Sequence, residues 1–341
     1  MPVIKKPNEH FDALTYAGSA SNQTISGLNF QPDFIWFKER TTNGIDHNLF
    51  DSARSNYGSR LISNATNAEA ASGAIIGVSS TGYSLLGGVS TTNDSSGRTY
   101  VTWNWKAGGT AVTNTSGTIT SQVSANPTAG FSIVTYTGTG ANATVGHGLG
   151  VAPSMIIVFN RASGYNHAVY NSNIGATNYL YLDTTSASSV ASSLWNNTTP
   201  TSSVFSIGTS GAVNNANGYV AYCFAPVAGY SAFGSYTGNG STDGPFVYTG
   251  FRPRFVLIKA SSISSEHWYI VDATRSPYNA AILYLSPDDS DAETSPGAAQ
   301  FFDFLSNGFK LRVSGSYSNS SGATYIYMAF AEAPFKFSNA R

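Results

Sequence analysis

The side chains best equipped for chemistry are five histidines, a single cysteine and a sparse set of carboxylates, and their spacing limits what they can do. His47, His167 and His267 fall once in each third of the chain. As equivalent positions of three units they would lie apart within one molecule, so a shared metal would need copies of the chain to meet on a three-fold axis. A bond to a neighbouring strand or turn is the expectation instead. The run Asp288-Asp289-Ser290-Asp291-Ala292-Glu293 clusters the oxygens that calcium takes. It lacks the glycine that sharpens a calcium loop and is bracketed by Pro287 and Pro296, which points to a solvated loop. Asp51 stands three residues before Arg54, and Asp272 three before Arg275, whereas Asn171 and Ile174 hold the corresponding places in the middle third. That pattern suits a local turn bond better than catalysis. Gly-x-Ser-x-Gly, Gly-Lys and His-Glu-x-x-His motifs are absent. Gly138-Thr139-Gly140, Gly238-Asn239-Gly240 and Gly146-His147-Gly148-Leu149-Gly150 follow strands but precede no helix, so they read as hairpin turns. No catalytic residue, metal or cofactor is assigned, and no enzyme activity is expected. Cys223 has no partner for a disulfide and reads as a core thiol.

The elements that would position these residues repeat. Tyr16-Ala17-Gly18, Tyr136-Thr137-Gly138 and Tyr236-Thr237-Gly238 each precede a proline that opens an apolar run. The prolines are Pro32, Pro153 and Pro253. The histidines follow, each leading into a short strand such as Leu49-Phe50-Asp51. A tyrosine-led strand then closes each copy, from Tyr100, Tyr219 and Tyr325. Six landmarks held in one order three times mark an internal repeat. Short apolar runs between Gly, Asn, Ser and Asp turns predict an all-β fold of three tandem β-sandwich, jelly-roll-like repeats. The expected division is an N-terminal arm over 1–10, repeat one over 11–107, a Ser/Thr/Gly-rich linker over 108–129, repeat two over 130–228 and repeat three over 229–341. Residues 118–123 of the linker can pair as a strand. Residues 67–72 and 188–194 suit single helical turns. The short join at 225–229 predicts that repeats two and three pack together, with repeat one set apart.

Composition bounds the function. Charged residues are 10% of the 341 and aromatics 13%, so polarity comes from Ser, Thr, Asn and 34 glycines while a real core remains available. A net charge of −1 gives no footprint for nucleic acid or an anionic membrane. No apolar run of 18 residues exists, so no insertion into a membrane is expected. Residues 1–10 lack the apolar stretch of a signal peptide, which predicts a protein made inside a cell. Most aromatics fall on strands and read as core; Trp195, Trp268, Tyr278 and Tyr317 lie in less regular context and are the candidates for exposed contacts to a sugar.

Gln31-Pro32-Asp33-Phe34-Ile35-Trp36-Phe37-Lys38, residues 100–107, the segment from Gly130 to Gly138 and residues 322–336 resemble a repeated domain in structural proteins of marine tailed phages, including cyanophages. The resemblance covers nearly the whole chain and carries no catalytic residue. It implies a virion protein, exposed on the particle after synthesis in the host cytoplasm. Its role would be a tail fibre or tail-associated host-contact appendage, or else a capsid decoration protein at local three-fold sites. A glycan-binding module or glycan-cleaving enzyme is the remaining reading, disfavoured because no acidic pair can be placed. The expected partners are itself, as a homotrimer covering strands apolar on both faces, other virion proteins, and a host surface glycan. Lys5 and Lys6 mark the arm expected to dock on the virion.

Overall fold

A computed structural model describes residues 4–95, 97–162, 164–294 and 301–332, and its regular structure is almost entirely antiparallel strand. The all-β reading is borne out. Four strands recur in each third of the chain. The opening strands are Phe11–Ala17, Phe131–Thr137 and Ser231–Thr237. The proline-led runs give Phe34–Glu39, Met155–Asn160 and Pro253–Ala260. Next come Asn48–Asp51, Ala168–Asn171 and Trp268–Asp272. The closing strands are Thr99–Trp105, Gly218–Phe224 and Thr324–Ala331. In all three sheets the closing strand lies between the opening and proline-led strands, and the fourth strand flanks the latter. Register repeats too. Phe34, Met155 and Phe255 face Trp105, Phe224 and Phe330 on one side. On the other they face Asp51, Asn171 and Asp272. These pairings define equivalent residues in the three units.

A second, smaller sheet accompanies each main sheet. Its members are Gln23–Ser26 with Gly82–Leu85 and Ile75–Ser79, then Ala143–Gly146 with Val204–Ile207, then Phe246–Tyr248 with Gly308–Leu311 and Phe302–Leu305. Strand side chains alternate between faces. In the proline-led strand of unit one, Ile35 and Phe37 join Tyr83 and Leu85 of the small sheet in one buried cluster, whereas Phe34 and Trp36 join a different one. That other cluster draws on all three units, with Trp103, Tyr222, Leu257 and Met328 among its members. Each main sheet therefore buries its outer face against its own small sheet and its inner face against the other two units. At the centre, the equivalent rings of Trp105, Phe224 and Phe330 form a triangle with centroids 6.2, 5.7 and 6.1 Å apart. Full burial of such rings contributes roughly 1.5–3 kcal/mol each.

Several expectations need correction. Unit one is not set apart: it shares the central cluster and touches both neighbours. The inner faces assigned to contacts between separate copies are covered within one chain. In the expected linker, Val112–Asn114 and Ser121–Asn126 add two strands to the open edge of unit two's main sheet. Residues 67–72 hold a short strand rather than a helical turn, and only Ser192–Trp195 in the second expected segment is helical. The arm is partly docked, since Ile4 is buried in the central cluster and Pro7–Glu9 forms a single 3-10 turn. Each unit is pinned where its chain begins and ends: Lys106 N donates to His10 O, Ala225 N to Gly130 O and Ala331 N to Tyr230 O, at 2.7–2.8 Å.

Candidate functional surfaces

Three equivalent units provide an internal control. A side chain that recurs in all three, in the same contacts, belongs to the fold. The landmark tyrosines behave so. Tyr16, Tyr136 and Tyr236 stack on Tyr100, Tyr219 and Tyr325 at 5.0–5.1 Å, with planes 11–12° apart. Their hydroxyls donate to Thr92 O, Val213 O and Ser318 O in the loop before each closing strand. A further landmark escaped the sequence reading: Asn93, Asn214 and Asn319, all fully buried. Each accepts a backbone N–H three residues after the landmark tyrosine (Ser19, Thr139, Asn239) and donates to the carbonyls of Ser21, Ala141 and Ser241. Their distances to the closing tyrosine are seven, five and six residues. That variation hid them.

The histidines and the Asp–Arg pairs lie between units. His47 accepts from Trp36 Nε1 at 2.9 Å through Nδ1, which leaves Nε2 to donate to Ser286 O of unit three at 3.0 Å. His167 Nε2 meets Ile62 O of unit one at 2.9 Å. By register the third equivalent is Trp268, not His267, and Trp268 Nε1 donates to Tyr181 O of unit two at 2.9 Å. One bond thus runs from unit one to three, two to one and three to two, closing the ring with approximate three-fold symmetry. His267 lies one residue away and faces outward, half-buried, beside Asp288 at 3.0 Å. The expectation that the three histidines are equivalent fails there, while the structural role holds for His47 and His167. Burial drives both below the ordinary histidine value.

Asp51 and Arg54 form a fully buried pair at 2.6 Å, extended through Glu69 to Arg161 of unit two, with Tyr222 Oη of that unit donating to Asp51. Asp272 and Arg275 repeat it, extended through Glu293 to Arg40 of unit one, with Trp103 Nε1 donating to Asp272. At the remaining interface the same places hold Asn171, Ile174, Ser188, Ser261 and Met328. The backbone bond persists there from Ser188 N to Ser261 O at 2.9 Å, matching Glu69 N to Arg161 O and Glu293 N to Arg40 O. In both charged sets the Asp–Arg core is fully buried, and the outer members Arg161 and Arg40 reach the surface. The local turn bond is present, from Arg54 N and Arg275 N to the aspartates, alongside the contact between units.

The acidic run divides. Asp288 accepts from Trp268 N and pairs with His267; Glu293 is held by Arg40 and Arg275. Asp289 and Asp291 border a cleft of about 130 Å³ with His267, Tyr269, Tyr284 and Thr294. No group of three metal-ligating side chains occurs among the described residues. Of the aromatics singled out in the sequence, Trp195 and Trp268 are buried and cannot serve as surface contacts; Trp195 packs on Tyr170. Tyr317 is half-buried, stacked on Phe301 at 5.3 Å. Tyr278 is 83% exposed. Sequence reasoning missed Phe246 and Tyr248, which are exposed on either side of buried Val247. Lys5 and Lys6 are exposed, and Lys6 pairs with Glu9 at 2.7 Å. Cys223 is a buried thiol, raised by desolvation.

One family model matches residues 6–334, that of a domain of unknown function, DUF7483. No curated protein and no solved structure matches the chain.

Proposed function

We infer that this chain, which belongs to the DUF7483 family, is a non-enzymatic structural protein of a tailed phage virion, a tail fibre or tail-associated host-contact appendage. One observation carries the reading: three equivalent units close into a ring within a single chain, and both ends of the described chain meet on one side of it. Asn8 and Glu332 line the same cleft, beside the Arg254–Asp12 ion pair. A ring attached on that side would leave its other side and the outer faces of the small sheets of units one and three for contact. Two of the histidines and both Asp–Arg pairs are buried in contacts between units, which suits a load-carrying role. The likeness of the proline-led and closing segments to phage virion proteins supports a place on the particle, with other virion proteins as partners.

A second reading, a capsid decoration protein at local three-fold sites, is favoured by the three-fold arrangement itself. Cryo-electron microscopy of the intact particle, paired with mass spectrometry of its proteins, separates the two. Density for the ring at the tail is expected. Density at capsid three-folds would transfer the protein to the second reading, and absence from purified particles would overturn both.

A further inference from the structure

The three small sheets show what the fold requires of an outer face and where one unit departs from it. Ile25, Val145 and Val247 are equivalent and point inward, facing Tyr83, Phe205 and Phe309. The flanking positions point outward. Unit one has Thr24 and Ser26 there, and Thr24 shares a hydrogen bond with Ser84 across the sheet at 2.9 Å. Unit two has Thr144 and Gly146. Its own chain covers them: Thr118 Oγ1 accepts from Thr144 N at 2.8 Å, and a Cβ on Gly146 would stand 2.1 Å from Asn114 Oδ1. Unit three has Phe246 and Tyr248, 45% and 67% exposed.

Their neighbours are set by register. Phe246 lies in one row with Lys310 and Asp303, and Tyr248 in the next row with Gly308 and Leu305. Gly308 lies beside Phe246: a Cβ there would stand 2.1 Å from Val247 O and 3.0 Å from the Phe246 ring. Asp303 is bonded to Arg312 at 2.6 Å and Lys310 to Asp243 at 2.8 Å, so carboxylates and cations are already fixed along one side. Nothing in the common fold requires these residues, because units one and two form the same sheet without them.

We propose that this outer face of unit three is a carbohydrate-binding surface, with Phe246 and Tyr248 as stacking platforms, Lys310, Arg312 and Asp243 as hydrogen-bonding groups for hydroxyls, and Asp303 holding Arg312 in place. The aromatic face carries partial negative charge and attracts the polarised C–H groups of a pyranose ring. Charged side chains give short, directional bonds to hydroxyls. Size favours an oligosaccharide over a protein. The exposed aromatic surface is two rings wide, the scale of a few sugar rings, whereas a stable protein interface draws on about 20–30 residues a side. The inference rests on the host-contact reading, which supplies the source of the glycan.

The test uses the intact protein on an array of immobilised neutral, N-acetylated and uronic-acid oligosaccharides. The double variant Phe246→Ala/Tyr248→Ala is compared with Val190→Ala, an exposed position in unit two. The expected result is retention on at least one glycan class, weakened tenfold or more in the double variant and unchanged in Val190→Ala, with equal thermal midpoints confirming the fold. No retention on any glycan, or equal retention by the double variant, overturns the proposal. So does self-association in sedimentation that the double variant abolishes, since the face would then hold a second copy. Retention by a protein absent from purified particles would leave this site standing and remove the virion role; presence on particles without retention would do the reverse.

Discussion

Single residues hold the ring together through two charged sets and one neutral set. Removing one partner of a buried ion pair costs about 3–5 kcal/mol, because it strands a charge, whereas replacing a whole set by apolar groups can cost little. The third interface shows the neutral solution inside the same molecule. Arg54→Ile alone is therefore expected to lower the unfolding free energy by about 3–5 kcal/mol. The combined change Asp51→Asn, Arg54→Ile, Glu69→Ser, Arg161→Ser and Tyr222→Met, copied from unit two's interface with unit three, is expected to cost less than the single change. Urea titration measures both, and a larger loss in the combined variant would show that the sets are not interchangeable. The histidines set the acid limit. Desolvation holds His10, His47, His147 and His167 below 6.5, so their contribution is complete above pH 6.5 and is lost as pH falls below it. His267 runs the other way: its bond to Asp288 raises it, so its contribution is present below pH 6.5 and is lost as pH climbs through the raised value. Four outweigh one, and the thermal midpoint in calorimetry should drop between pH 7 and pH 5, before most carboxylates titrate. A midpoint that holds or rises over that span contradicts the balance.

At the scale of elements, the glycine of each Tyr-x-Gly landmark has a steric cause. A Cβ on Gly18, Gly138 or Gly238 would stand 2.2–2.4 Å from the carbonyl oxygen of Asp94, Asn215 or Ser320. The opening strand must pass that close for the buried asparagine to reach its backbone partners. Gly238→Ala is expected to destabilise by about 1–3 kcal/mol, the usual cost of overpacking, and a neutral result in chemical denaturation would mean the loop yields. The opening tyrosine, proline-led run and closing strand were legible because each is short, strongly patterned and bounded by turn residues. The pairing of Trp268 with the histidines was not. The connection before it holds one residue more than in unit two, and matching by spacing selected His267 instead. In a strand, a slip of one residue moves a side chain to the opposite face, which is why His267 looks outward while Trp268 faces the ring. Exposure was equally hidden: Trp195 sits in a Ser- and Asn-rich stretch yet packs inward, and Phe246 and Tyr248 resemble any other strand aromatic until their register is known.

The whole molecule is a three-membered ring made by one chain, so its inner faces need no second copy. Light scattering of the full chain should give the mass of one chain at all concentrations below any glycan-independent association. A single unit, residues 229–341 expressed alone, would expose Phe255, Leu257, Ile270, Met328 and Phe330 at once. It is expected to self-associate or precipitate; a soluble, folded monomer would show that the central cluster is dispensable. The bond between Arg40 and Glu293 spans 253 residues, and that between His47 and Ser286 spans 239. At the usual pace of synthesis, the first unit waits roughly ten seconds to a minute on the ribosome before the segment that seals it has been made. During that interval its Trp36, Trp103 and Trp105 face lies bare, or is shielded only by unit two. The last step of biogenesis is therefore a ring closure between the oldest and newest parts of the nascent chain, and chaperone demand should peak just before it.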